Sequence, residues 1–171
     1  MTESELGSQV GESEIMSVVM RRLNAAPRSR GELTKYLLAK DFDPTLIEKV
    51  LDRVSSMGYI DDVAFAQEWV RSRQRSRGLA PSVLTRELIN KDVDIEVIQV
   101  ALEQLTSDDT LERAYELAAK KYRNLMSVDH AVAVRRIASL LQRKGYPPAT
   151  CFHIAKETVG AEFEIDGELE K

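Results

Sequence analysis

Leu33-Thr-Lys-Tyr-Leu37-Leu-Ala-Lys40-Asp-Phe42, with Ile47 five residues on, decides the fold, because the chain writes it three times. The same spacing returns as Leu84, Leu88, Lys91 and Val93, followed by Ile98. It returns again, more loosely, as Ile137, Leu141, Lys144 and Tyr146, followed by Cys151. The steps are 51 and 53 residues. Apolar residues four apart mark the buried stripe of a helix. A unit copied in series, in which each copy leans on its neighbours, suits a protein that lies along an extended partner.

Working outward, each copy carries helix punctuation. Ser29 is an N-cap with Glu32 three residues later, as in a capping box. Asp43-Pro44 opens the next helix, with the acid as cap and proline at the first helical position. Its inward face is Ile47, Val50, Leu51 and Val54, and Gly58 stops it. In the second copy Pro81 opens one helix and Asp94 caps another. In the third, a helix from about Asp129 ends at Gly145, and Pro147-Pro148 precede the last. The connecting stretches also read as helices: 62 to about 76, capped by Asp61 or Asp62, and 108 to about 125, capped by Ser107 or Asp108. Another helix runs from Glu14 to about Ala25, ended by Pro27. Period-two alternation is confined to a short stretch at 161–165. The expected fold is all-α: three tandem three-helix modules (14–61, 62–106 and 107–160) in an elongated, curved arrangement. A disordered acidic extension at 1–13 and an acidic tail at 161–171 complete it.

Modules of about fifty residues sit near the lower limit for independent stability, so neighbours are expected to support one another. The lone cysteine, Cys151, excludes an intramolecular disulfide and a cysteine-rich zinc site, and its place on the apolar pattern reads as core. The polar, acidic N-terminus has no signal-peptide core, and no apolar run is long enough to span a bilayer. A cytoplasmic monomer is the expectation. The net charge of −4 conceals segregation along the chain. Residues 1–20 hold four acids and no base, and 157–171 hold six acids and Lys171, while 21–156 carry a net +5. Within that body 62–91 is +3, 92–111 is −6 and 112–156 is +6. A basic body between acidic ends fits nucleic acid, or a protein that coats it; the competing reading is a solvated helical surface.

No catalytic constellation stands out. There is no phosphate-binding glycine loop, no zinc-protease helix motif and no nucleophile elbow. His130 and His153, 23 residues apart, read as surface or structural histidines, and Asp61-Asp62 reads as helix capping. No cofactor is expected. The distinctive basic element is Arg71-Ser-Arg73-Gln-Arg75-Ser-Arg77-Gly78, four arginines alternating with small polar residues, which can fork onto phosphate or carboxylate. Arg86 and Lys91 follow. A second cluster is Lys120, Lys121 and Arg123, and a third is Arg135, Arg136, Arg143 and Lys144. These thirteen are the candidate binding residues. Lys40, Lys91 and Lys144 recur at one repeat position near a helix end, where compensation of the helix dipole competes with a binding role. Trp69, Phe65 and Tyr59 read as packing between modules rather than as a base-stacking platform.

Pro27-Arg-Ser-Arg-Gly-Glu-Leu33, Val50-Leu-Asp-Arg-Val54, Gly58-Tyr-Ile-Asp-Asp-Val-Ala-Phe-Ala66, Val70-Arg-Ser-Arg73 and Arg77-Gly78 resemble the bacterial RecX regulators. The 58–66 block is the most specific part, with Ile60 where leucine is usual. The resemblance spans roughly residues 14–160 and implies three tandem three-helix modules. It implies a non-enzymatic protein that binds the RecA filament on single-stranded DNA, lies in its helical groove, and suppresses ATP hydrolysis, strand exchange and repressor co-cleavage. The alternative is a helix–turn–helix DNA-binding protein acting without RecA. No helix carries the cluster of Asn, Gln and Arg that major-groove readout favours.

Overall fold

The structure, a computed structural model, describes the backbone of residues 3–168 and the side chains of residues 9–160. Among the described residues there are nine helices and no strand: α1 (Glu3–Ala25), α2 (Arg30–Leu38), α3 (Pro44–Ser56), α4 (Asp62–Arg77), α5 (Pro81–Ile89), α6 (Ile95–Leu102), α7 (Ser107–Tyr122), α8 (His130–Arg143) and α9 (Pro148–Glu168).

Local chemistry sets most of the boundaries. Ser29 Oγ accepts from the Glu32 amide at 3.0 Å, and the Glu32 carboxylate accepts from the Ser29 amide at 3.3 Å, closing the capping box. Asp43 accepts from the Thr45 and Leu46 amides at 2.9 and 3.1 Å, with Pro44 at the first helical position. Asp129 caps α8, and Gly145, at φ +93°, lies just beyond its end. At Asp61-Asp62 the two acids divide the labour. Asp61 caps α4 through the Ala64 amide at 2.9 Å, while Asp62 accepts from the Arg30 amide of α2 at 2.8 Å. Burial pushes the Asp62 carboxyl up, against the lowering influence of Arg30.

Three boundaries differ from the sequence reading. The helix expected from Glu14 already begins at Glu3, so the stretch expected to be disordered is helical from Glu3 on. Glu12 pairs with Lys49 of α3 at 2.6 Å, and Gly11 lies so close to Leu46 that a Cβ there would stand 2.9 Å from its Cδ1, which holds this part of α1 on α3. Thr106, not Ser107 or Asp108, caps α7, because its hydroxyl meets both the amide and the carboxylate of Asp109. The alternation at 161–165 lies within α9, which meets no proline or left-handed residue before Glu168. Residues 169–171 of the expected acidic tail are outside the described residues.

The chain forms two compact units, whose division passes through α4 and α5 and before the last residue of α6. The first comprises the chain up to Trp69 together with Glu87–Ala101. Its core is Ile15, Val19, Leu33, Leu37, Ile47, Leu51 and Val54, all fully or almost fully buried. Each such aliphatic side chain contributes roughly 1.5–3 kcal/mol by leaving water. The second comprises Val70–Arg86 and the chain from Leu102 on. It packs Ala114, Ala118, Ile137, Leu141, Cys151 and Ile154, so Cys151 is a core residue.

Within each unit one repeat is fastened to the next by the same joint. In the first unit, Ser29 Oγ donates to the Lys91 carbonyl at 2.5 Å, and Gly31 lies against Asp92. In the second, the Ala80 amide donates to the Lys144 carbonyl at 2.9 Å, and Ser82 Oγ donates to the Gly145 carbonyl at 2.7 Å. The repeat steps carry Ser29 onto Ala80 and Lys91 onto Lys144. Each turn between repeat helices thus docks on the start of the equivalent helix one repeat earlier.

Candidate polyanion-binding cleft

The joints consume two of the residues singled out in the sequence. Lys91 belongs to the first unit, where its ammonium pairs with Glu32 at 2.9 Å and sits 4.5 Å from the centroid of the Trp69 ring. Trp69 in turn donates from Nε1 to Glu87 at 2.9 Å and stacks on Phe65 with centroids 5.9 Å apart. These aromatics are packing residues of the first unit, and Lys91 is a fastener among them. Lys144 donates to the Arg77 carbonyl at 2.6 Å, closing the C-terminal end of α4. Lys91 and Lys144 thus each hold a partner within their own unit.

The second unit concentrates positive charge in one cleft of about 750 Å³. Arg77 comes from the end of α4, Lys120 and Lys121 from the last turn of α7, Arg123 from just beyond it, and Lys144 from the end of α8. Arg113, on the middle of α7, joins them and was not foreseen. In the sequence it stands between Glu112 and Glu116, which hides it in any count of basic clusters. Arg113 donates to the Arg75 carbonyl at 2.6 Å and pairs with Glu116. Among the described residues Glu116 is the only carboxylate lining the cleft. Leu117, Ala119 and Leu140 form apolar parts of the wall, and Ser76 and Asn124 add neutral polar groups.

The electrostatic state follows from that inventory. Burial pushes the Lys144 ammonium below the ordinary lysine value, and the cations of Arg77, Arg113 and Arg143 push it the same way. Positive charge is thus crowded and incompletely compensated. Two of the cations already serve the C-terminal carbonyls of α4, where the helix dipole is negative. Among the described residues, no ion pair or hydrogen bond engages the side chains of Arg77, Lys120, Lys121 or Arg123.

The remaining candidates lie outside this lining. Arg71, Arg75, Arg86, Arg135, Arg136 and Arg143 are exposed, and Arg73 is half-buried with partners of its own. Of its four arginines the run Arg71–Arg77 therefore contributes one, Arg77, to the cleft, beside Ser76. Among the described residues no group of three His, Cys, Asp or Glu side chains gathers as a metal site, and no helix is long and apolar enough to cross a membrane. The arrangement can hold an anion rich in oxygen acceptors.

Comparison with known proteins matches the repeats in chain order. The model of the first three-helix domain of RecX covers residues 16–53, the second 61–102 and the third 107–154. Regulatory protein RecX of Streptomyces coelicolor is 36% identical over 148 residues, which is 86% of this chain and 79% of that one. Regulatory protein RecX of Corynebacterium efficiens is 37% identical over 157 residues, 89% of this chain and 75% of its own. In fold, the crystal structure of RecX from Lactobacillus salivarius superimposes with a TM-score of 0.77 at 21% identity, over 88% of this chain and 97% of that one. A threefold helical repeat, matched domain by domain and over most of the length of its relatives, makes this chain a member of the RecX family of regulatory proteins.

Proposed function

We propose that this chain binds the RecA filament on single-stranded DNA and restrains RecA's recombinase, ATPase and co-protease activities, so that it modulates DNA repair and the SOS response without catalysing a reaction itself. The observation that carries this reading, beside family membership, is the cleft of the second unit. There Arg77, Lys120, Lys121 and Arg123 line a concavity in which Glu116, the one carboxylate among its described residues, is already paired with Arg113. A filament that displays phosphates and acidic side chains is a partner for such a surface, and attraction of this kind weakens as salt rises.

The test is a titration of RecA ATP hydrolysis on single-stranded DNA, with the protein added before and after filament assembly. Inhibition in both orders, relieved by moderate salt, is the expected result. A variant carrying Arg77→Glu with Lys120→Glu should keep its helicity and lose the inhibition. No effect of the native chain on RecA turnover would refute the reading. Full inhibition by the folded variant would refute the site.

A further inference from the structure

Four cations of the second unit without internal partners, Arg77, Lys120, Lys121 and Arg123, are gathered around one concavity, while Arg75, Arg86, Arg135, Arg136 and Arg143 lie outside it. Its volume of about 750 Å³ falls within the range of small-molecule sites. The competing uses of its charge are already satisfied. Glu116 is held by Arg113, and the terminal carbonyls of α4 are met by Arg113 and Lys144. What is left is a set of guanidinium and ammonium groups from α4 and from the end of α7, with the Asn124 amide as a neutral hydrogen-bond donor beside them; the Ser76 hydroxyl already donates to the Ser72 carbonyl at 2.7 Å. Among the described residues no aromatic side chain lines the cleft, so none of them reads a base there by stacking.

We propose that this cleft binds a compact chain of linked phosphates, either inorganic polyphosphate or the phosphate tail of a nucleoside triphosphate. Such an anion carries several charges within a few ångströms and offers acceptor oxygens on all sides. Arginine forks and lysine point charges approaching from two helices can all engage it at once. A single carboxylate or sulfate meets only part of the set. Bound there, the anion occupies the surface that the reading above gives to the filament. Its effect on RecA rests on that reading; its binding does not.

The experiment is calorimetric titration of the full chain with sodium tripolyphosphate at moderate salt, with arms using ATP, sulfate and a single-stranded oligonucleotide. Tripolyphosphate and ATP should bind one to one with similar affinity, and sulfate far more weakly. Lys121→Gln with Arg123→Gln, which removes two charge-assisted contacts, should weaken tripolyphosphate by at least roughly tenfold. Lys156→Gln, outside the lining, should leave it unchanged. Absence of saturable binding, equal affinity in the double variant, or binding by the oligonucleotide alone would overturn the proposal. The RecA titration without added polyphosphate is scored separately. Inhibition without tripolyphosphate binding defeats only this inference, and binding without inhibition defeats only the earlier one.

Discussion

A Cβ placed on Gly31 would stand 2.1 Å from the carbonyl oxygen of Asp92, so the joint of the first unit closes only because that position has no side chain. In the second unit the glycine has changed sides. The repeat-equivalent pair is Ser82 and Gly145, and a Cβ on Gly145 would meet Val83 at 2.4 Å and Ser82 at 2.7 Å. One member of each pair is a glycine: the backbone of Asp92 packs against it in the first unit, and the side chains of Ser82 and Val83 in the second.

Gly31→Ala should therefore destabilise the first unit by about 1–3 kcal/mol or more, since overpacking against backbone cannot be relieved by a rotamer change. Gly31→Ser should do the same. Adding Asp92→Gly to Gly31→Ser copies the arrangement of the second unit and should recover much of the loss, because Asp92 is left-handed at φ +53° and glycine lets the turn move. Thermal unfolding of the three variants measures the coupling. Strictly additive effects would show that the two joints are not equivalent.

Such joints were not legible in the sequence, although the helices they connect were. Three- and four-residue spacing identified the buried faces, and Ser29, Asp43, Asp94, Asp129 and Gly145 marked helix ends, because capping is local chemistry. Asp94, for instance, accepts from the Glu96 amide at 2.8 Å as expected of a cap. What escaped was tertiary. Nothing local distinguishes Lys91, half-buried against Glu32 and Trp69, from Lys120, exposed in a cleft. Nor does spacing reveal that Arg77 and Arg123, remote in the chain, line one concavity while Arg71 and Arg75 do not. Charge counted along the sequence finds the basic segments; only the packing decides which cations are already spent.

Lys91→Met keeps the apolar stem and removes the ammonium. It should cost about 1–2 kcal/mol through the lost ion pair to a largely buried Glu32 and the lost cation–π contact. Trp69 is the single tryptophan of the chain and lies under that ammonium, so its emission should shift with the substitution. An unchanged spectrum and unchanged stability would remove Lys91 from the joint.

Lys144 and Arg123 line the same cleft but should behave differently. Lys144→Met leaves the Arg77 carbonyl without its donor and should lower unfolding stability by about 1 kcal/mol. Arg123→Gln touches no internal partner and should leave stability within about 0.5 kcal/mol while weakening anion binding. Urea unfolding beside tripolyphosphate titration separates the two. Equal stability losses would show that Arg123 has a structural role.

Tyr146 gives the second unit a dependence on alkaline pH. Its hydroxyl donates to the Gly78 carbonyl at 3.2 Å, and burial pushes its pKa from 10.0 up to about 12, against the lowering influence of Arg113. The folded state thus holds the phenol neutral where the unfolded chain would ionise it. The resulting stability is fully present below pH 10 and is lost as pH rises through about 12. Tyr146→Phe should cost about 1 kcal/mol at neutral pH, because the Gly78 carbonyl loses its donor. It should also flatten the decline between pH 10 and 12, since phenylalanine has no proton to lose. Denaturant midpoints taken across that range for both proteins measure the difference. Parallel curves would mean that Tyr146 ionises in the folded state as readily as in the unfolded one, and that its burial does not constrain it.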